Sequence, residues 1–237
     1  MKINHPLVKG VVKEVRPFIY CVEIDDDYDR AMLFCRYQEF YESPYKKFRG
    51  KPFTWMEYMR FYKSSWKKRM FTYPDDWSGY NIPCNIIHQA HHIFCKDTEY
   101  DAIMNDIYWY CEKDSSEKND NKQVDWYLIG ASGKDLRTMD HEIAHGLYFT
   151  NKEYKKEITK LIKTIKPIHY EKLKKKLIKM GYVNDKKILD DEIHAFMSTG
   201  LYNGMDTKEL KVYEKEFVKT FKKYKDDIDS SSMKHPI

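Results

Sequence analysis

The spacing of hydrophobic positions changes character about halfway along the chain. Residues 11–24 (VVKEVRPFIYCVEI) concentrate β-branched and aromatic residues and predict one or two strands, ended by the aspartates at 25–27. Residues 28–41 switch to helical spacing, with Met32, Leu33, Tyr37 and Phe40 on one side. A loop with Pro44, Gly50 and Pro52 follows, and Thr54 is placed to cap a helix over 55–64. Two prolines and a glycine make 70–83 an ordered loop with short extended pieces. Helical spacing returns over 85–94 and 97–111. The polar run 114–122 (DSSEKNDNK) predicts an exposed loop.

Residues 124–129 (VDWYLI) are the clearest strand in the pattern. The chain then turns at 130–133, and Ser132 or Asp135 can cap a helix running to about Phe149. From there the pattern is amphipathic helix only, over roughly 152–165, 167–180, 185–199 and 206–225. Pro167, Gly181 and the Gly200 to Gly204 region punctuate these helices, and the tail 230–237 is expected to fray. Mixed elements first and helices afterwards predict an α+β fold. With no internal repeat and no linker, residues 1–237 read as one domain: a mixed lobe with a short sheet over 1–134, a helical lobe over 135–228 and a tail over 229–237.

Composition narrows the class. At 237 residues and 42% apolar, the chain can bury a core of its own. No run approaches the roughly 18 apolar residues of a membrane helix, and the first residues lack the apolar stretch of a signal peptide. Five scattered cysteines with no CxxC read as reduced thiols, so an intracellular, cytoplasmic protein is expected. The net charge of +5 is too mild to imply nucleic acid by itself. Between Lys152 and Lys179, eleven lysines accompany three glutamates, yet Ile158, Leu161, Ile162 and Ile165 form one apolar stripe and Leu173 and Leu177 another. Solvated basic faces on packed helices are the expectation there. A nucleic acid or acidic partner on those lysines is the alternative.

The chemistry is concentrated in His141-Glu142-Ile143-Ala144-His145, an H-E-x-x-H pattern. On a helix, residues four apart lie about 40° from each other around the axis, so both imidazoles can face one ion. That suits two of zinc's four positions, and Glu142 beside them can act as general base on a water activated by the metal. Burying a helix with His-Glu-His on its inner rim is costly unless something satisfies those groups.

A third protein ligand is needed if the fourth position is kept for water. Glu192 is the preferred candidate. Its neighbours three and four residues away, Ile188, Leu189, Ala195 and Phe196, are all apolar, so it sits in the middle of an apolar stripe. A lone buried carboxylate there would be destabilising, and a metal would resolve it. His194 and Asp191 are the rivals. Whichever of Asp190 and Asp191 is left over could instead hold an imidazole from outside. A second metal on Cys84, His88, His91 and Cys95 is disfavoured, because eleven helical residues span roughly 16 Å. His88, His91 and His92 are expected at a core edge or in the cleft opposite the motif.

These residues resemble the zincin metallopeptidases, and among them the gluzincins, whose third ligand is a glutamate. HEIAHGLY followed by Glu192-x-x-Ala195 is particularly similar to the compact intracellular peptidases of the ImmA/IrrE type, over about residues 124–200. The resemblance implies one Zn2+ per chain on His141, His145 and Glu192, with Glu142 as the base and a peptide or protein as the substrate. It also implies that the strand at 124–129 aligns an extended peptide. Tyr148, His194 and Tyr202 are candidates for stabilising the developing oxyanion. A catalytically inactive zincin-fold binding or assembly protein, working through its basic helices, is the competing reading.

Overall fold

The computed structural model describes residues 1–65, 70–94, 97–201, 205 and 207–232, the last six without their side chains. Cys95, Tyr202, Gly204 and the end of the tail therefore lie outside the described residues.

Among the described residues, five strands form one mixed sheet: β1 (Lys2–Asn4), β2 (Lys9–Arg16), β3 (Ile19–Glu23), β4 (Tyr80–Pro83) and β5 (Tyr127–Ala131). Their order is β1-β2-β3-β5-β4. The first three form an antiparallel meander, β5 runs parallel to β3, and β4 closes the sheet antiparallel to β5. Among the described residues there are ten helices: α1 (Asp27–Glu42), α2 (Trp55–Ser65), α3 (Tyr73–Asp76), α4 (Cys84–Phe94), α5 (Glu99–Lys118), α6 (Leu136–Thr150), α7 (Lys152–Thr164), α8 (Pro167–Met180), α9 (Lys186–Thr199) and α10 (Lys208–Ser232). The fold is a mixed α+β arrangement with a small sheet and many helices. Among the described residues, no helix is long and apolar enough to cross a membrane.

The two-residue period of the strands divides the core. Tyr20, Val22, Ile82 and Leu128 face one hydrophobic cluster, built with α1, α2, α4 and α5. Ile19, Cys21, Tyr127, Ile129 and Ala131 face the other, built with α6 to α10. The sheet is therefore a wall between two helical layers.

Local chemistry explains most element ends. Thr98 and Asp101 form a reciprocal capping box at the start of α5, and Thr54 and Glu57 do the same for α2. Asp135 and Asp185 cap α6 and α9 through their carboxylates.

Four expectations need correction. α1 is buried along most of its length, not on one side, because it lies against α3, α4, α5 and β4. Its Arg36 is satisfied in the interior by Asp101 at 2.5 Å, Asp97 at 2.9 Å and the Phe53 carbonyl at 2.7 Å. Helix α5 runs to Lys118, through the first part of the expected loop at 114–122. Lys118 explains the extension: it bridges Asp114 one turn back and Glu14 on β2, both at 2.6 Å. Residues 70–83 hold a one-turn helix as well as the extended piece β4. The strand expected over 124–129 is β5, over Tyr127–Ala131, because pairing begins only where β3 begins, at Ile19 opposite Tyr127.

Candidate metal centre

Helices α6 and α9 build the centre. Helical spacing puts the Nε2 atoms of His141 and His145 3.3 Å apart. α9 crosses α6 closely, with Ala144 and Ala195 fully buried and no bulk between the backbones there. The crossing delivers Glu192. Its Oε2 lies 3.7 Å from His141 Nε2 and its Oε1 lies 3.6 Å from His145 Nε2. Met139, Ile143 and Leu147 fix the helix in the core, whereas Leu136 at its start is exposed. On the sheet side, a Cβ at Gly146 would come within 2.8 Å of Ile19, so glycine allows α6 to lie this close to β3.

Ligand atoms around a tetrahedral zinc, with bonds of about 2.0–2.1 Å, sit about 3.3–3.4 Å apart. The His141 to His145 distance matches that spacing, and the two Glu192 contacts, made by different carboxylate oxygens, are a few tenths of an ångström longer. Glu192 is 3% exposed, and its Oε2 is buried without a hydrogen-bond partner. An unneutralised carboxylate in that position is expensive. Its surroundings suit a cation.

A second trio, His145, Asp191 and His194, is also close enough to hold an ion. Asp191 Oδ1 lies 2.9 Å from His145 Nδ1 and 3.1 Å from His194 Nδ1, closer than ligands around one tetrahedral ion. The other nitrogen of His194 is 3.2 Å from the Ala144 carbonyl oxygen. These contacts describe an acid holding two imidazoles from behind. Burial works to raise Asp191, but His145 and His194 outweigh it and hold the carboxyl well below the usual range. Burial likewise works to lower His145, and Asp191 with Glu192 outweighs it, holding the imidazole up at about 10. Asp190, the other candidate from that run, is engaged elsewhere, accepting from Tyr170 at 2.6 Å and Lys186 at 2.5 Å.

Glu142 is held from the sheet. Asn81 Nδ2 on β4 donates to its Oε2 at 2.9 Å, and Asn81 Oδ1 accepts from the Tyr127 hydroxyl on β5 at 2.7 Å. Burial raises the pKa of Glu142 above the usual value, opposed by His141, His145 and Asn81. Gly79 closes over it: a Cβ there would stand 2.2 Å from Glu142 Oε1 and 2.6 Å from Thr138 Cγ2.

Two cavities meet at His141 and Glu142. One is a cleft of about 510 Å³, bounded by residues including Ser78, Arg137, Thr138 and Met180. The other is a pocket of about 60 Å³ that Glu192 and, from α1, Glu39 and Glu42 also line. Tyr182, Trp77 and Gly79 border both. Burial pushes Glu42 well above the usual carboxylate range, and Glu192 adds to the effect.

Other sequence candidates fall away from this centre. β5 is paired on both sides, to β3 and β4, so the strand expected to align an extended peptide has no free edge. Tyr148 stacks on His194 with ring centres 4.6 Å apart and borders neither cavity. His88 and His92 are exposed and His91 half-buried, at the core edge against the buried Tyr108, and not in the cleft. Cys84 Sγ accepts from the Trp126 N–H at 3.4 Å, and no metal trio forms there among the described residues. The lysines of α7 and α8 are exposed or half-buried, as solvated faces require.

Asn81, Gly79, Gln38 and Glu42 were missed by sequence reasoning. Asn81 carried a weak signal, as a polar residue within the apolar run Tyr80, Ile82, Pro83. Glu42 carried none, because its approach to the centre depends on how α1 packs.

No protein-family model, curated protein or solved structure matches this chain.

Proposed function

We propose that this chain is a zinc-dependent metallopeptidase with a zincin-like, gluzincin-type centre, one zinc per chain on His141, His145 and Glu192. The observation that carries the reading is the convergence of those three side chains, one ligand atom from each within 4.8 Å of the others, beside a buried carboxyl that lines a cleft. Two imidazoles and one carboxylate, with an open side toward the cleft, are a donor set typical of catalytic zinc.

Bound zinc would supply Lewis acidity, polarising the scissile carbonyl and acidifying the attacking water. The protein's own groups handle the protons. Glu142 takes one proton from the water as its oxygen bonds to the carbonyl carbon. It then delivers that proton to the amide nitrogen as the C–N bond breaks, so the products are a carboxylic acid and an amine. Asn81 holds the Glu142 carboxyl in place through both steps, and Tyr127 holds Asn81. Asp191 orients the His145 ring from behind. A raised pKa helps Glu142 take and return a proton near neutral pH.

The test uses the full chain. Elemental analysis and anomalous scattering at the zinc edge should find one ion on the three named side chains. The zinc-loaded chain should hydrolyse peptides, and Glu142→Gln should abolish turnover with zinc still bound. Zinc binding without turnover under any condition would favour the binding-protein alternative, and no zinc uptake would remove both readings.

A further inference from the structure

Helix α4 repeats the histidine geometry of the metal centre on the other side of the sheet. Cys84, Ile87, Ala90 and Phe94 of α4 belong to the first hydrophobic cluster, whereas Met139, Ile143 and Leu147 of α6 belong to the second. His88 and His92 are four residues apart, as His141 and His145 are, and the sequence holds this spacing of histidines at no other place. On a helix that spacing turns both rings to one face. The ring centres of His88 and His92 lie 4.8 Å apart with their planes at 90°, against 4.9 Å and 79° for His141 and His145.

A second observation concerns how His88 is held. Its Nδ1 lies 2.8 Å from the Tyr108 hydroxyl on α5, and Tyr108 is 3% exposed, so the ring is anchored to the core. With the ring proton on Nδ1 and donated to the phenol oxygen, Nε2 keeps its lone pair for an ion. Asp191 stands in the same relation to His145, on Nδ1, with Nε2 left for the ion. Such a partner fixes both the tautomer and the ring orientation of a metal-binding histidine. His91 takes another part: its ring lies nearly parallel to that of Tyr108, with centres 5.2 Å apart and planes at 19°. His88 and His92 are both exposed, so an ion reaches them from solvent and keeps water in its remaining positions.

We propose that His88 and His92 hold a further, solvent-facing ion of the late first-row transition metals, through His88 Nε2 and a ring nitrogen of His92. Imidazole donors suit Ni2+, Cu2+ and Zn2+, whereas Mg2+ and Ca2+ require oxygen ligands. The inference is independent of the peptidase reading. Two ligands in the open, against three in the interior, make this the weaker site. It fills after the centre and empties on desalting, so desalted protein retains only the ion of the centre.

Trp109 provides the readout. It is 55% exposed, its ring centre is 5.9 Å from that of His91, and His91 is 5.0 Å from His92. Zinc-loaded full chain is titrated with nickel chloride, with bound nickel and zinc measured by equilibrium dialysis and tryptophan emission followed in parallel. One nickel per chain should bind with quenching and with zinc content unchanged. His88→Gln and His92→Gln should each weaken nickel binding at least tenfold, and His91→Gln less than threefold. Trp109→Phe should keep the nickel and lose most of the quenching. All four side chains are exposed or half-buried, and circular dichroism confirms that each variant is folded. No nickel uptake, or nickel that only replaces zinc, overturns the proposal. So does uptake that survives the double substitution of His88 and His92, which would place the ion elsewhere. If the centre itself is empty, nickel binds there too, and the double variant should still lose one ion per chain.

Discussion

Asp191 offers a quantitative test of the metal centre that does not require a substrate. A single oxygen, Oδ1, lies 2.9 Å from His145 Nδ1 and 3.1 Å from His194 Nδ1. Asparagine can present its amide oxygen in the same place, so Asp191→Asn keeps the contacts and removes the charge. Alanine removes both and leaves two buried imidazole nitrogens with no acceptor. Removing a group that orients a metal ligand costs about 10–100-fold in affinity, or roughly 1.4–2.7 kcal/mol. Asp191→Asn is therefore expected near the tenfold end and Asp191→Ala near the hundredfold end. The assay is competition for zinc against a chromophoric chelator at neutral pH, with circular dichroism confirming the fold. His194→Ala should cost less than Glu192→Gln, because His194 acts only through Asp191. Two results would refute the reasoning. One is an Asp191→Ala variant with affinity within twofold of the parent. The other is a His194→Ala variant that loses zinc while Glu192→Gln retains it, which would move the ion to the second trio.

Further outcomes follow from the packing around the centre. Gly79→Ala places a Cβ 2.2 Å from Glu142 Oε1, so the carboxyl must move by about 1 Å, and turnover should fall about a hundredfold. Zinc affinity should change only a few-fold, and an equal loss of both would show that Gly79 supports the ligands instead. Gly146→Ala meets the fully buried Ile19 at 2.8 Å and should lower stability by about 1–2 kcal/mol in urea unfolding, the overpacking exceeding the gain in helix propensity. Glu39 is raised by burial from 4.5 to about 7, so the folded chain binds more protons than the unfolded chain between those values. Its contribution is most favourable below the unfolded value and declines as pH rises toward 7, by up to roughly 3 kcal/mol. Glu39→Gln should flatten that decline and be the more stable protein at pH 8, and a variant destabilised equally at pH 5 and pH 8 would contradict the account.

What could be read along the chain was whatever depends on near neighbours. The H-E-x-x-H spacing places two imidazoles on one helix face for any fold that keeps the helix, and the apolar neighbours of Glu192 mark it as a buried acid without any knowledge of its partner. Caps such as Thr54 and Asp135 act within three residues, so the starts of α2 and α6 were legible for the same reason. Only the tertiary structure decided the rest. The crossing of α6 and α9 brings Glu192 to the His141 and His145 pair and turns Asp191 to the back of His145, although the two acids are adjacent in sequence. Strand order puts β5 inside the sheet and β4 at its edge, which brings Asn81 to Glu142 across 61 residues. Packing of α1 brings Glu42 to a pocket that Glu142, 100 residues further on, also lines. Contacts of that kind leave no periodic trace, because each depends on how whole elements stack and not on the spacing of residues within one of them.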